Sequence, residues 1–180
     1  MLDTSVVVRE ATSADSERVG ELLVDSFVST YGKKMPEVVV TEARKDDLRD
    51  VETKRIHECV LVADLGGRIV GTVTVYRPHS PRSRTWQPSA AEIRYMAVAS
   101  DVQGKGVAES LIREALHRAW SWRAKELTLH VRRGATGVVR FYERLGWKRE
   151  PKGDRDERPV IYLEGYTRAV ENTRADGSAS

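Results

Sequence analysis

The sequence predicts a single α/β domain built on a mixed, mostly antiparallel, twisted sheet of about six to seven strands flanked by about four helices. Three features carry that prediction. The second half of the chain alternates β-branched runs with segments of helical apolar spacing, an order that covers a mixed sheet with helices through right-handed crossovers. A pair of strand-like runs around Gly66-Gly67 reads as a tight hairpin, which makes its strands antiparallel. The 180 residues suffice for one good core and make a split into two domains unlikely. The domain is expected over residues 1–170, and the small polar stretch 171–180, "ENTRADGSAS", reads as a disordered tail.

Taken in order, "SVVVRE" from Ser5 to Glu10 is a β-branched strand. "SADSERVGELLVDSF" comes next, with Ser13 as N-cap and an apolar stripe at Val19, Leu22, Leu23 and Phe27, so the chain starts strand then helix. From Tyr31 to Glu58 the signal weakens, and "TEARKDDLRDVETKRI" reads as one polar surface helix made of good helix formers. Cys59 to Ala63 and Ile69 to Tyr76 are the two arms of the hairpin. "RPHSPRSRTWQPSAA" holds three of the six prolines and is therefore a long loop. After it come a strand in "AEIRYMAVA", a helix in "GVAESLIREALHRAW", a strand in "ELTLHV", a short helix in "GVVRFYERLG" and a last strand in "VIYLEGY".

Composition narrows the class of protein. Hydrophobic residues at 40% and charged residues at 32% are the balance of a soluble globular chain, and no apolar run reaches membrane-spanning length. The opening "MLDTSVVVREATSAD" lacks the basic-then-apolar order of a secretory signal, and one cysteine, Cys59, forms no internal disulfide. A reducing cytoplasm is the expected home. A net charge of +3 from 30 basic and 27 acidic side chains is too balanced to argue for nucleic acid or a membrane surface.

Two glycines, Gly104 and Gly106, stand where the long helix must nucleate, although glycine is entropically costly there. A plain turn explains one glycine. The alternative is an anion held against the unpaired amides and positive dipole end of the helix, with Lys105 adding a cation. The pattern is not a P-loop, since the lysine lies between the glycines. Nor is it a dinucleotide fingerprint, which needs a third glycine where Glu109 stands.

Gln103-Gly104-Lys105-Gly106-Val107-Ala108 does resemble the Gln/Arg-x-x-Gly-x-Gly/Ala pyrophosphate loop of the GNAT family, the Gcn5-related N-acetyltransferases. The surroundings agree in order: Met96-Ala97-Val98 ends the strand before it, and Tyr142-Glu143-Arg144-Leu145-Gly146-Trp147 matches the family's Tyr-x-x-x-Gly-aromatic helix end. The resemblance covers Val6 to Tyr166 and is strongest from Glu92 to Trp147. It implies a GNAT-like sheet, acetyl-CoA as co-substrate and transfer of its acetyl group to a primary amine by direct attack on the thioester. The alternative is a noncatalytic module that binds acetyl-CoA and signals to a partner.

By the same resemblance Met96, Ala97 and Val98 offer backbone groups to the pantetheine arm, and Gln103, Gly104, Lys105, Gly106, Val107 and Ala108 hold the pyrophosphate. Acetyl-CoA is to lie where the strand of Met96 to Val98 parts from its neighbour. Tyr142 corresponds to the tyrosine that assists the leaving thiolate. Its own spacing with Val138, Val139 and Leu145 also suits a core aromatic. Glu92 resembles the glutamate that serves as base in the histone acetyltransferase branch, whereas simple alternation puts it beside Arg94 as an ion pair. One position departs from the family: Ala135 stands where an asparagine often contacts the cofactor, with Thr136 as the nearby polar side chain.

The remaining polar residues suggest less. His57, His79, His117 and His130 lack metal-ligand spacing, so no metal is expected. Trp120 and Trp122 are expected at a core edge. The basic loop with Arg77, His79, Arg82, Arg84 and Trp86 reads as a solvated loop or as one that touches acidic substrate groups or nucleic acid, and the acidic run Asp46, Asp47, Asp50 and Glu52 as a solvent-facing helix surface or one that attracts a cationic acceptor. Expected partners are a small-molecule amine or a protein amine as acceptor, with no nucleic acid and no membrane, and a homodimer is left open.

Overall fold

The structure, a computed structural model, describes residues 5–171. The expected tail beyond Glu171 lies outside the described residues. These contain eight strands and five helices, in a mixed and mostly antiparallel open sheet, and they form two compact units. One unit comprises the residues up to Val75 with Tyr95–Ala115; the other comprises Tyr76–Arg94 with the residues from Leu116 onward.

In the first unit, β1 (Val6–Glu10) pairs antiparallel with β2 (Cys59–Leu65), and β2 with β3 (Arg68–Tyr76). The hairpin turns through Gly66 and Gly67, both at positive φ as a primed turn requires. A 3-10 turn at Ser13–Asp15 leads into α1 (Ser16–Lys34). Thr12, one residue before the expected cap, opens that turn: its backbone N–H donates to Asp15 at 2.7 Å and its hydroxyl at 3.0 Å. Arg9 closes the corner by reaching Asp15 at 2.8 Å and Asp64 at 3.0 Å, which holds the Asp15 carboxyl far below its ordinary range. α1 buries Val19, Leu23 and Val24, and runs about two turns beyond the segment the sequence supports.

The single polar helix expected next is two helices, α2 (Glu42–Arg49) and α3 (Val51–His57). Asp50 ends one and begins the other. Its backbone leaves the helical region at φ −73°, ψ 62°, and its carboxylate accepts from the Thr53 N–H at 3.3 Å, a cap that competes with continued helix. Leu48 and Val51 on either side are fully buried beneath this break.

β4 (Ala91–Val98) passes from the second unit into the first, and α4 (Val107–Ser121) from the first into the second. In the first unit α4 lies so close to β3 that a Cβ on Gly71 would sit 2.9 Å from Val107 Cγ1 and 3.0 Å from Leu111 Cδ1. Leu111 and Ile112 are buried there together with Leu61 and Val62, each wholly buried side chain contributing about 1.5–3 kcal/mol.

The second unit holds the loop 77–90, β5 (Glu126–Arg132), α5 (Thr136–Arg144), β6 (Lys148–Arg149), β7 (Arg155–Glu157) and β8 (Ile161–Ala169). β8 pairs antiparallel with β5, β6 and β7. β4 and β5 are the parallel pair, with register only at Ala91↔Leu127 and Glu92↔Thr128. Hydrogen-bonded neighbours give the order β1-β2-β3-β4-β5-β8-β6, with β7 on β8. Trp120, expected at a core edge, is 43% exposed and stacks on His117 instead.

Candidate active site

The site residues named from the sequence fall in both units. Met96, Ala97, Val98 and the stretch from Gln103 to Ala108 belong to the first, and Glu92 and Tyr142 to the second.

In the first unit β4 ends at Val98, a 3-10 turn covers Ser100–Val102, and α4 begins at Val107. Gly104 and Gly106 stand at φ 75° and 81°, a region that costs an L-residue about 1–2 kcal/mol. A Cβ built on either meets nothing within 4 Å, so these glycines are set by backbone conformation and face open space. The Gly106 carbonyl accepts from Ser110 N at 3.0 Å, which places Gly106 at the cap of α4, a cap without a side chain. The first amides of the helix therefore have no intrahelical acceptor and no side chain of the cap residue over them. Gln103 and Lys105 are exposed, and the Gln103 amide donates to Val98 O at 3.3 Å. Asp101, two residues before the loop, is taken up by Arg68 in two contacts of 2.7 and 2.8 Å, which hold its pKa below the ordinary value. An anion at the loop thus meets amides, a helix dipole and Lys105, with Asp101 paired to Arg68 and Glu109 in the first turn of α4 as the opposing charge.

Tyr95, just before Met96, was not singled out by the sequence. It stands at φ 55° in the middle of β4, where strain on a bulky residue amounts to about 1–3 kcal/mol. Its ring is 7% exposed. The hydroxyl donates to Asp47 at 3.1 and 3.2 Å, Lys54 Nζ lies 4.5 Å from the ring centroid, and Arg44 Cζ lies 5.3 Å from it. No residue type in this stretch announces a left-handed backbone, so the position carries no signal that could be read from the sequence.

In the second unit Glu92 has no exposed surface. Ala91, Glu92 and Ile93 are buried in succession, so alternation fails at this position and the expected surface pair with Arg94 does not form the way period two suggests. Instead Arg94 donates to Arg82 O at 3.2 Å and covers the Tyr76 ring at 4.8 Å. Glu92 Oε2 accepts from the Ser83 hydroxyl at 2.9 Å and from the Arg84 N–H at 2.7 Å, pinning the proline-rich loop. Oε1 has no hydrogen bond and lies 3.5 Å from His130 Nδ1. Burial pushes the Glu92 pKa up, but His130, the Arg84 amide, Arg94 and Ser83 together outweigh it, and the net direction is down. His130 in turn directs Nε2 to Gly153 O at 2.9 Å and meets the Trp86 ring edge-on at 5.5 Å. The one sequence signal for this cluster is the loop's tryptophan among basic residues; its partners are set by tertiary contacts.

Tyr142 sits on α5, 8% exposed, and burial raises its pKa, so it remains a neutral phenol. The motif around it has a local cause. Trp147 N donates to Tyr142 O at 3.1 Å and Gly146 N to Glu143 O at 3.0 Å, the paired bonds of a Schellman helix end with Gly146 at φ 88°. That reversal lays Trp147, 2% exposed, against Tyr142 at 5.4 Å and 66°. Ala135 caps α5 without a side-chain hydrogen bond, and Thr136 is exposed.

Comparison with known proteins bears on both units. The model of the acetyltransferase (GNAT) family matches residues 17–147. Among solved structures, a GNAT-family acetyltransferase from Staphylococcus aureus Mu50 superposes with a TM-score of 0.69 at 15% identity, covering 93% of this chain and 100% of that one. A putative GNAT acetyltransferase from Desulfovibrio desulfuricans reaches 0.72 at 18% identity, with 93% and 100% covered. PaiA N-acetyltransferase from Thermoplasma acidophilum, solved in complex with coenzyme A, reaches 0.69 at 16% identity, with 92% and 99% covered. At these identities the likeness is one of fold. No curated protein sequence matches the chain.

Proposed function

The chain belongs to the acetyltransferase (GNAT) family, and from that premise we propose that it moves an acetyl group from acetyl-CoA to a primary amine by direct attack of the amine on the thioester. The observation that carries the reading is the loop from Gln103 to Ala108, whose two left-handed glycines open the start of α4 to space without a cap side chain. The residues fit the donor: the loop's amides and Lys105 take the pyrophosphate, and the backbone of Met96, Ala97 and Val98 takes the pantetheine arm as an added strand would.

Acetyl-CoA supplies the reactive thioester. Tyr142 offers its phenol to the departing sulfur. A phenol has an ordinary pKa of about 10 against about 8.5 for a thiol, and burial moves Tyr142 further up, so its role is hydrogen-bond donation as charge develops. Glu92 in this reading anchors the loop 77–90 and does not meet the amine, since its carboxylate is wholly buried, engaged by Ser83 and Arg84 and lowered in pKa. The amine, with an ordinary pKa of about 10.4, then loses its proton to solvent before attack. The test is the melting temperature with acetyl-CoA, free CoA and NAD, followed by a screen of amines for turnover. A ligand at a hundred times its Kd adds about 2.7 kcal/mol, or several degrees. A shift with acetyl-CoA and none with NAD is expected; no shift with any of them in folded protein refutes the reading.

A further inference from the structure

Resting on the reading of Met96 to Val98 as the backbone that takes the pantetheine arm, we propose that Tyr95 is a positioning residue for the acyl donor, held in its left-handed conformation by a clamp of Asp47, Lys54 and Arg44. A tyrosine does not occupy φ 55° unless its surroundings over-determine it. Here they do. The hydroxyl is bound by Asp47 at 3.1 and 3.2 Å, and cations from α2 and α3 lie over the ring at 5.3 and 4.5 Å. The clamp is itself braced: Lys54 donates to the carbonyls of Asp47 and, at 2.9 Å, Asp50, while Arg44 pairs with Asp47 and covers Phe27 at 5.4 Å. The break between α2 and α3 at Asp50 is what turns that carbonyl toward Lys54.

One left-handed residue in a strand acts as a bulge does, re-aiming everything after it. The residues re-aimed here are Met96, Ala97 and Val98. Their backbone direction is therefore fixed by side chains of α2 and α3 through Tyr95. The clamp's polar groups sit on helices that the sequence marks only as a charged surface.

The experiment compares Tyr95→Ala, Tyr95→Gly and Asp47→Asn in the full chain, by calorimetric titration with acetyl-CoA and by thermal melting. Alanine loses the clamp and resists the left-handed backbone, whereas glycine loses the clamp but accepts that backbone. Tyr95→Ala is expected to raise the acetyl-CoA Kd about tenfold or more, and Tyr95→Gly to recover about half of that loss on a logarithmic scale without a higher melting temperature. Asp47→Asn, at a half-exposed side chain, is expected to raise Kd and the KM for acetyl-CoA about threefold with kcat unchanged. Equal losses in Tyr95→Ala and Tyr95→Gly, or no loss in either while the wild type binds, overturn the proposal. If those two fail to fold, an unchanged Kd in Asp47→Asn overturns it. A wild type that binds no acetyl-CoA overturns the proposal together with the reading of the strand on which it rests.

Discussion

Replacing Glu92 separates an anchor from a base. Glu92→Ala removes the acceptor of Ser83 Oγ and Arg84 N and the carboxylate facing His130, in a place with no solvent exposure. Two hydrogen bonds to a charged group are worth about 1.5–3 kcal/mol each, so their loss costs about 3–6 kcal/mol. Glu92→Gln keeps the shape and one oxygen for Ser83 and Arg84. Its amide replaces the carboxylate that lies 3.5 Å from His130 Nδ1. Neutral bonds are about half as strong as charged ones, which leaves a loss of about 1.5–3 kcal/mol. Urea unfolding monitored by tryptophan fluorescence reads the stability loss, and steady-state acetylation of an amine at saturating acetyl-CoA reads the catalytic one. The expected result is a Glu92→Gln enzyme with kcat within about threefold of wild type, beside a markedly unstable Glu92→Ala. A folded Glu92→Gln enzyme whose kcat falls by about 10² or more would make Glu92 the general base and refute the argument from burial. The pH profile gives an independent check. With solvent as proton acceptor, kcat/KM for an alkylamine rises about tenfold per unit from pH 7 to 9, because the neutral amine is the titrating species; a plateau over that range speaks for an enzymic base.

Two further outcomes are expected. Tyr142→Phe should lower kcat while leaving the Kd of acetyl-CoA within about twofold, read by single-turnover acetylation beside calorimetry; unchanged turnover removes the proposed donor. Asp15→Asn should cost about 1 kcal/mol at neutral pH through the lost charge on Arg9, measured by urea unfolding at a series of pH values. Because Arg9 depresses the native pKa of Asp15, that stabilisation is present above the unfolded value of about 3.9 and fades as pH falls through the native one, so the two proteins should converge in strong acid. A gap independent of pH would assign the loss to shape instead of charge.

The strands that bury one or both faces and α4 were legible because burial imposes a period: the stripe at Val107, Leu111, Ile112, Ala115, Leu116 and Ala119 is buried throughout. β6 and β7, with two and three residues, are too short to show one. The break at Asp50 was hidden among helix formers, where a capping aspartate looks like any other surface charge. At the candidate site the glycine loop was legible because positive φ selects glycine. Tyr95 was not, because there the backbone is imposed by three side chains distant in sequence. The environment of Glu92 was illegible for a similar reason: the sequence shows a carboxylate near an arginine, while the structure engages it with a loop that folds back over the strand.

The helix end at Tyr142 leaves room for change. Its geometry rests on two peptide hydrogen bonds, on a missing side chain at Gly146 and on an aromatic at Trp147. Arg140, Glu143 and Arg144 are exposed, and their side chains take no part in those bonds. The outer face of α5 is thus a surface on which drift or an engineer can write freely, while the phenol stays where the main chain has put it.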